Sequence, residues 1–117
     1  TVQRNLFMTE KERKYLSDIT NSIDLIESFT NDIKSFGEYS KDFKTKGEVE
    51  RHLGIIGEAV NKFLKESETD NLQSALKIIS LRNRLIHSYD NVDDSIIWLI
   101  ITQHLKPLKE EITKKIE

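Results

Sequence analysis

The stretch SLRNRLIHSYDN, residues 80–91, gathers Arg82, Asn83, Arg84, His87 and Tyr89 directly after the apolar run Ala75-Leu76-Lys77-Ile78-Ile79. Four residues separate Arg82 from His87, and Tyr89 follows two positions later. On a continuing helix Asn83 and His87 stand at i,i+4, so the amide can orient the imidazole. The set therefore offers an imidazole able to take or give a proton near neutral pH, a permanent cation shaped to bind phosphate, and a phenol. The same residues also fit a simpler description, a basic helix C-terminus favoured by the helix dipole. Residue types and spacing alone leave both readings open.

Little else in the chain could do chemistry. His52 borders a core stripe and reads as a partly buried structural histidine, while His104 lies in a polar stretch and reads as surface. Lys44-Thr45-Lys46-Gly47 lacks the upstream glycine spacing of a phosphate-binding loop, and with Lys41 it reads as a solvated basic patch. No HExxH, GxSxG or Cys/His metal spacing occurs, so neither a metal nor a cofactor is expected. The absence of cysteine excludes disulfides and thiolate metal sites and fits a reducing, cytoplasmic setting. The formal net charge of −2 lacks the basic excess of a protein that coats nucleic acid, so any RNA contact must rest on a local cluster of cations. The longest apolar run, Ile96–Ile101, is far short of a membrane span, and there is no signal-peptide pattern.

The elements that would position residues 80–91 are helices. With 117 residues, 37% apolar, 32% charged, one proline and four glycines, the composition suits a single helix-rich domain. Residues 1–8 read as a loose arm and 9–117 as the domain. Thr9-Glu10-Lys11-Glu12 reads as a capping box, followed by the stripe Leu16, Ile19, Ile23, Ile26 and Ile33. Residues 38–46 fit either a loop or the first turns of a second helix, which runs from about 46 to 67. Gly54 and Gly57 lie within it, and glycine costs a helix roughly 1 kcal/mol against alanine, so a compensating close approach is expected. Arg51, Gly54, Ile55 and Glu58 fall on its back face. That face is either a plain helix contact with a solvated charge pair or the meeting point with a second subunit, with Arg51 and Glu58 near a site.

The third helix, about 70–88, starts at a turn that Thr69 or Asp70 can cap. It is apolar on opposite sides: Leu72, Ala75, Leu76, Ile79 and Ile86 form one stripe, Ile78, Leu81 and Leu85 the other. The second stripe is expected to face a dimer partner. A fourth helix, about 93–116, carries Pro107 and is expected to kink or break between 103 and 107. The whole reads as an all-α, antiparallel four-helix bundle with a homodimeric interface.

The run Arg82-Asn83-Arg84-Leu85-Ile86-His87-Ser88-Tyr89 resembles the R-x4-H-x-Y motif of the HepT-like branch of the HEPN superfamily. The resemblance extends from about residue 12 to 116. It includes Leu53-Gly54-Ile55-Ile56-Gly57-Glu58-Ala59, which looks like the family's "IGEA" helix, and the closing Leu105-Lys106-Pro107-Leu108. Ala75 departs from it, standing where many relatives carry tryptophan. The resemblance implies a HEPN-type bundle acting as a metal-independent endoribonuclease toxin of a type VII toxin–antitoxin pair. It implies Arg82 and His87 as catalytic, Asn83 as support, and a homodimer that joins two motifs in one cleft. It further implies a minimal (MNT-type) nucleotidyltransferase antitoxin that attaches AMP to Tyr89. A second reading keeps the fold but not the catalysis: a HEPN module that docks a nucleotidyltransferase or nucleotide through Arg82 and Tyr89. The net charge of −2 mildly favours this second reading.

Overall fold

A computed structural model describes residues 8–67, 70–86 and 93–117, with the backbone alone for 84–86. His87 and Tyr89 lie outside the described residues, as do Thr69 and residues 1–7 of the arm. All regular structure among the described residues is helical: α1 (Glu10–Thr30), α2 (Phe36–Lys41), α3 (Phe43–Glu66), α4 (Gln73–Ile86), α5 (Asp94–Leu99), a π-helical turn (Ile100–His104) and α6 (Leu105–Ile116). No described helix is long and apolar enough to cross a membrane.

Helix α1 begins where its capping box lies. Thr9 Oγ1 accepts from Glu12 N at 3.0 Å and Glu12 Oε1 accepts from Thr9 N at 3.3 Å, so two helix-start amides are satisfied reciprocally. Its stripe Leu16, Ile19, Ile23 and Ile26 is fully buried, mainly against Val49, Leu53, Ile56, Val60 and Phe63 of α3. Early α1 residues Tyr15 and Asp18 meet Ile55, Ala59 and Lys62, while the later Ser22 and Phe29 meet His52. The two helices therefore run antiparallel. Fully burying each such Leu, Ile or Phe contributes about 1.5–3 kcal/mol, which makes this pair the foundation of the core.

The connection between them is itself helical. Ser35 caps α2, and Asp42 ends it and starts α3. The Asp42 carboxylate accepts from Thr45 N at 3.1 Å and from Thr45 Oγ1 at 2.8 Å, and these bonds hold its carboxyl below the usual carboxylate range. Hence α3 starts at Phe43, ahead of the expected residue 46. Lys46, expected to be solvated, pairs with Asp94 at 2.7 Å and donates to the Ser40 carbonyl at 3.2 Å.

Helix α4 departs from the sequence reading at its start and on its face. It begins at Gln73, and its first amides are capped from across the fold: Glu111 of α6 accepts from Gln73 N at 3.0 Å and Ser74 N at 2.7 Å. Leu72, just before it, and Ala75, Ile78 and Leu81 within it are buried. Ile78 and Leu81, expected at a dimer interface, are thus core, and Leu76, expected in the core, is 51% exposed. The buried set thus draws on both expected stripes, Leu72 and Ala75 from one and Ile78 and Leu81 from the other, because α3, the π-turn and α6 cover the face between them.

The last segment carries its interruption as a π-turn. Leu105 N donates to Ile100 O, five residues back. Pro107, in the first turn of α6, has no N–H for the Gln103 carbonyl, and its ring crowds that carbonyl. Widening the preceding turn accommodates both effects. Ile97, Ile100, Leu105, Leu108 and Ile112 stay buried on both sides of it, completing one contiguous core cluster.

Candidate functional site

Arg82 follows Leu81 at the inner edge of α4, and the burial of Leu81 directs the arginine stem across α3. Its guanidinium packs close against Gly57. A Cβ built on Gly57 would stand 2.7 Å from Cζ and 3.0 Å from Nε of Arg82, and nearer still to Nη1. None of the ion pairs among the described residues involves Arg82. The cation is therefore seated by shape, and no described carboxylate spends its charge. A planar, half-buried guanidinium in this state is suited to bind a phosphate by its fork.

Asn83 is exposed and shares the outward face of α4 with Leu76, the half-buried Ile79, and Ser80. The amide thus projects away from the core of the single chain. His87 and Tyr89 lie outside the described residues. Arg82 and Asn83 consequently leave α4 in adjoining directions, one toward α3 and one outward.

Arg51 and Glu58, expected near a site or interface, are both exposed on α3 and do not pair with each other. Arg51 Nη2 contacts Glu48 Oε2 at 3.3 Å, and Glu58 accepts from Lys62 at 3.1 Å. Both are neighbour pairs along one helix, of the kind that contribute a few tenths of a kcal/mol. Of the two glycines between them, Gly54 would meet nothing within 4 Å, so only Gly57 has the close approach expected for both.

His52 is buried, as the stripe indicated, but within a network the sequence reading missed. Its Nδ1 is 3.1 Å from Ser22 Oγ, and its Nε2 is 3.1 Å from Arg51 Nη2. A guanidinium only donates, so Nε2 is the acceptor and Nδ1–H donates to Ser22. With Phe29 packed 5.9 Å away, ring to ring, this histidine is fully engaged in holding α1 to α3. The available signal was Ser22 itself, a polar residue in register with Ile19, Ile23 and Ile26. His104, expected at the surface, is half-buried, and burial followed by the Lys77 charge holds its imidazole below the ordinary range.

A further buried phenol belongs to the scaffold. Tyr39 stacks on Trp98 at 5.5 Å, and its hydroxyl has no hydrogen-bond partner among the described residues. Burial, then the nearby Glu50 and Asp94 carboxylates, holds the phenol above its usual range. Glu50 is itself raised, first by burial and then by Asp94, with Lys46 opposing. Among the described residues no group of three or more His, Asp or Glu is placed to hold a metal ion.

Comparison with known families matches residues 19–115 to one described as ribonuclease HepT-like. The match spans more than four fifths of the chain, running from the middle of α1 almost to the end of α6 and containing both Gly57 and the whole Arg82–Tyr89 motif. No solved structure matches.

Proposed function

We propose, from the premise that this chain belongs to the ribonuclease HepT-like family, that it is a metal-independent endoribonuclease toxin. In this reading residues 9–117 form one antiparallel four-helix HEPN-type bundle, cytoplasmic and homodimeric. The family match over 19–115 carries the reading, because the matched region contains Arg82, Asn83, His87 and Tyr89 in motif order.

The chemistry follows from the side chains. The RNA 2′-hydroxyl attacks the adjacent phosphorus, a P–O bond forms to the 2′-oxygen, and the P–O bond to the 5′-oxygen breaks. One His87 accepts the 2′-hydroxyl proton, and a second, from the partner subunit, gives a proton to the departing 5′-oxygen. An imidazole with a pKa of roughly 6.5 is suited to both tasks. Arg82 stabilises the extra charge on the phosphorane oxygens, and Asn83 holds the imidazole. The products are a 2′,3′-cyclic phosphate and a 5′-hydroxyl.

The dimer this needs fits the outward face of α4. Leu76 and Asn83 lie exposed there with Ile79 between them. The pair would then meet across a two-fold axis, each chain supplying one imidazole. Arg51 and Glu58 would flank it. Control fits an MNT-type nucleotidyltransferase antitoxin: AMP on the Tyr89 hydroxyl would place an anionic phosphate and an adenosine in the cleft, repelling RNA by charge and bulk.

The test is cleavage of RNA with excess chelator, followed by analysis of the new ends. Wild-type protein should leave 2′,3′-cyclic phosphates, and His87→Ala and Arg82→Ala should each lose activity by at least about 100-fold. Cleavage that survives in purified His87→Ala protein would sink the assignment. Tight binding of a nucleotidyltransferase or nucleotide with no cleavage above these variants would instead favour the non-catalytic module.

A further inference from the structure

Only one of the four glycines is placed where a side chain cannot go. Gly47 and Gly54 would meet nothing within 4 Å, and a Cβ on Gly37 would stand 3.8 Å from Ser35 Oγ, an ordinary contact. No described glycine has a positive φ, so backbone conformation does not require glycine at position 57. What requires it is the Arg82 guanidinium, three atoms of which lie within 3.0 Å of where the Cβ would be. Glycine inside a helix is otherwise a cost. Gly57 is also buried, midway along α3 and opposite the C-terminal half of α4.

We propose that Gly57 is a positioning residue for the RNA phosphate: its bare backbone is the seat on which the Arg82 guanidinium lies at the height and tilt that phosphate binding requires. This rests on the reading of Arg82 as the phosphate-binding cation. The group that clashes is the far end of a flexible side chain. Adding a methyl at position 57 therefore leaves the helices in place and lifts the guanidinium off α3. A displacement of this size, about 1 Å, is enough to cost on the order of 100-fold in rate when the displaced group stabilises the transition state.

The experiment compares Gly57→Ala with Gly47→Ala, the same change on the same helix in open space. The first readout is the Arg82 side-chain Nε–Hε resonance in the protein without RNA, assigned by its loss in Arg82→Ala. It should move in Gly57→Ala and stay in Gly47→Ala. The second is single-turnover RNA cleavage, which should fall about 100-fold in Gly57→Ala, mainly in the rate constant at saturating enzyme, and hold in Gly47→Ala. In an Arg82→Ala background, Gly57→Ala should bring no further loss. An unmoved resonance, or Gly57→Ala cleaving like wild type while Arg82→Ala is inactive, overturns the proposal. If Arg82→Ala itself cleaves normally, the role given to Arg82 fails, and the resonance alone then decides whether the seat exists. Should Gly57→Ala not fold, recovery of folding in Gly57→Ala/Arg82→Ala would trace the clash to the guanidinium. Continued failure would overturn the proposal.

Discussion

At the scale of single residues, the site and the scaffold use their cations in opposite ways. Arg51 donates to Glu48 and His52, whereas Arg82 has no carboxylate partner among the described residues and lies on a glycine. Sequence singled out both arginines, Arg51 by its face and Arg82 by its motif, yet their partners depend on which side of α3 meets α4. The glycine cost at position 57 was visible and pointed to a close approach, but the identity of the approaching group was not. The Ser22–His52 pair shows the same limit, since its members are 30 residues apart. Ser22→Ala should leave the His52 Nδ1–H buried without an acceptor and destabilise the protein by about 1–3 kcal/mol. Urea unfolding would measure this, and Ser22→Ala/His52→Leu should recover a large part of the loss, because the orphaned donor is then gone.

At the scale of elements, local signals succeeded where the cap and the helix adjoin in sequence. The capping box at Thr9 and Glu12 starts α1 at Glu10, and Asp42 starts α3 by the same kind of bond. Helix α4 has no such local device among its described residues, and its start waits on Glu111, 37 and 38 positions downstream. Replacing Glu111 by Ala should uncap two amides and cost about 1–2 kcal/mol, with Gln, which keeps one oxygen, costing less. Equilibrium unfolding with an unchanged m value would register the difference, and amide exchange should quicken first at Gln73 and Ser74. The sequence reading expected a kink or break between 103 and 107, and the structure has a π-turn at Ile100–His104 with Pro107 inside the helix that follows. The form of this interruption, which keeps Ile100 and Leu105 both buried, depends on the core packed against it.

At the scale of the whole molecule, the question is which surface is left for a second copy. The sequence reading gave Ile78 and Leu81 to the partner, but the chain buries them itself and leaves Leu76 outward beside Asn83. Leu76→Asp should accordingly change monomer stability by no more than about 0.5 kcal/mol. Sedimentation should show it shifting a dimer toward monomer, with RNA cleavage lost in parallel. A dimer that persists unchanged would place the interface on another face. What the sequence by itself determined was the helical class, the inward stripe of α1, and the motif Arg82–Tyr89 with its family. These depend on periodicity and order along the chain, which local physics enforces. Which face of α4 is core, what caps its start, and what lies on Gly57 were decided only by the tertiary structure. Each of these depends on a residue from another helix, and no pattern along one helix names its neighbour.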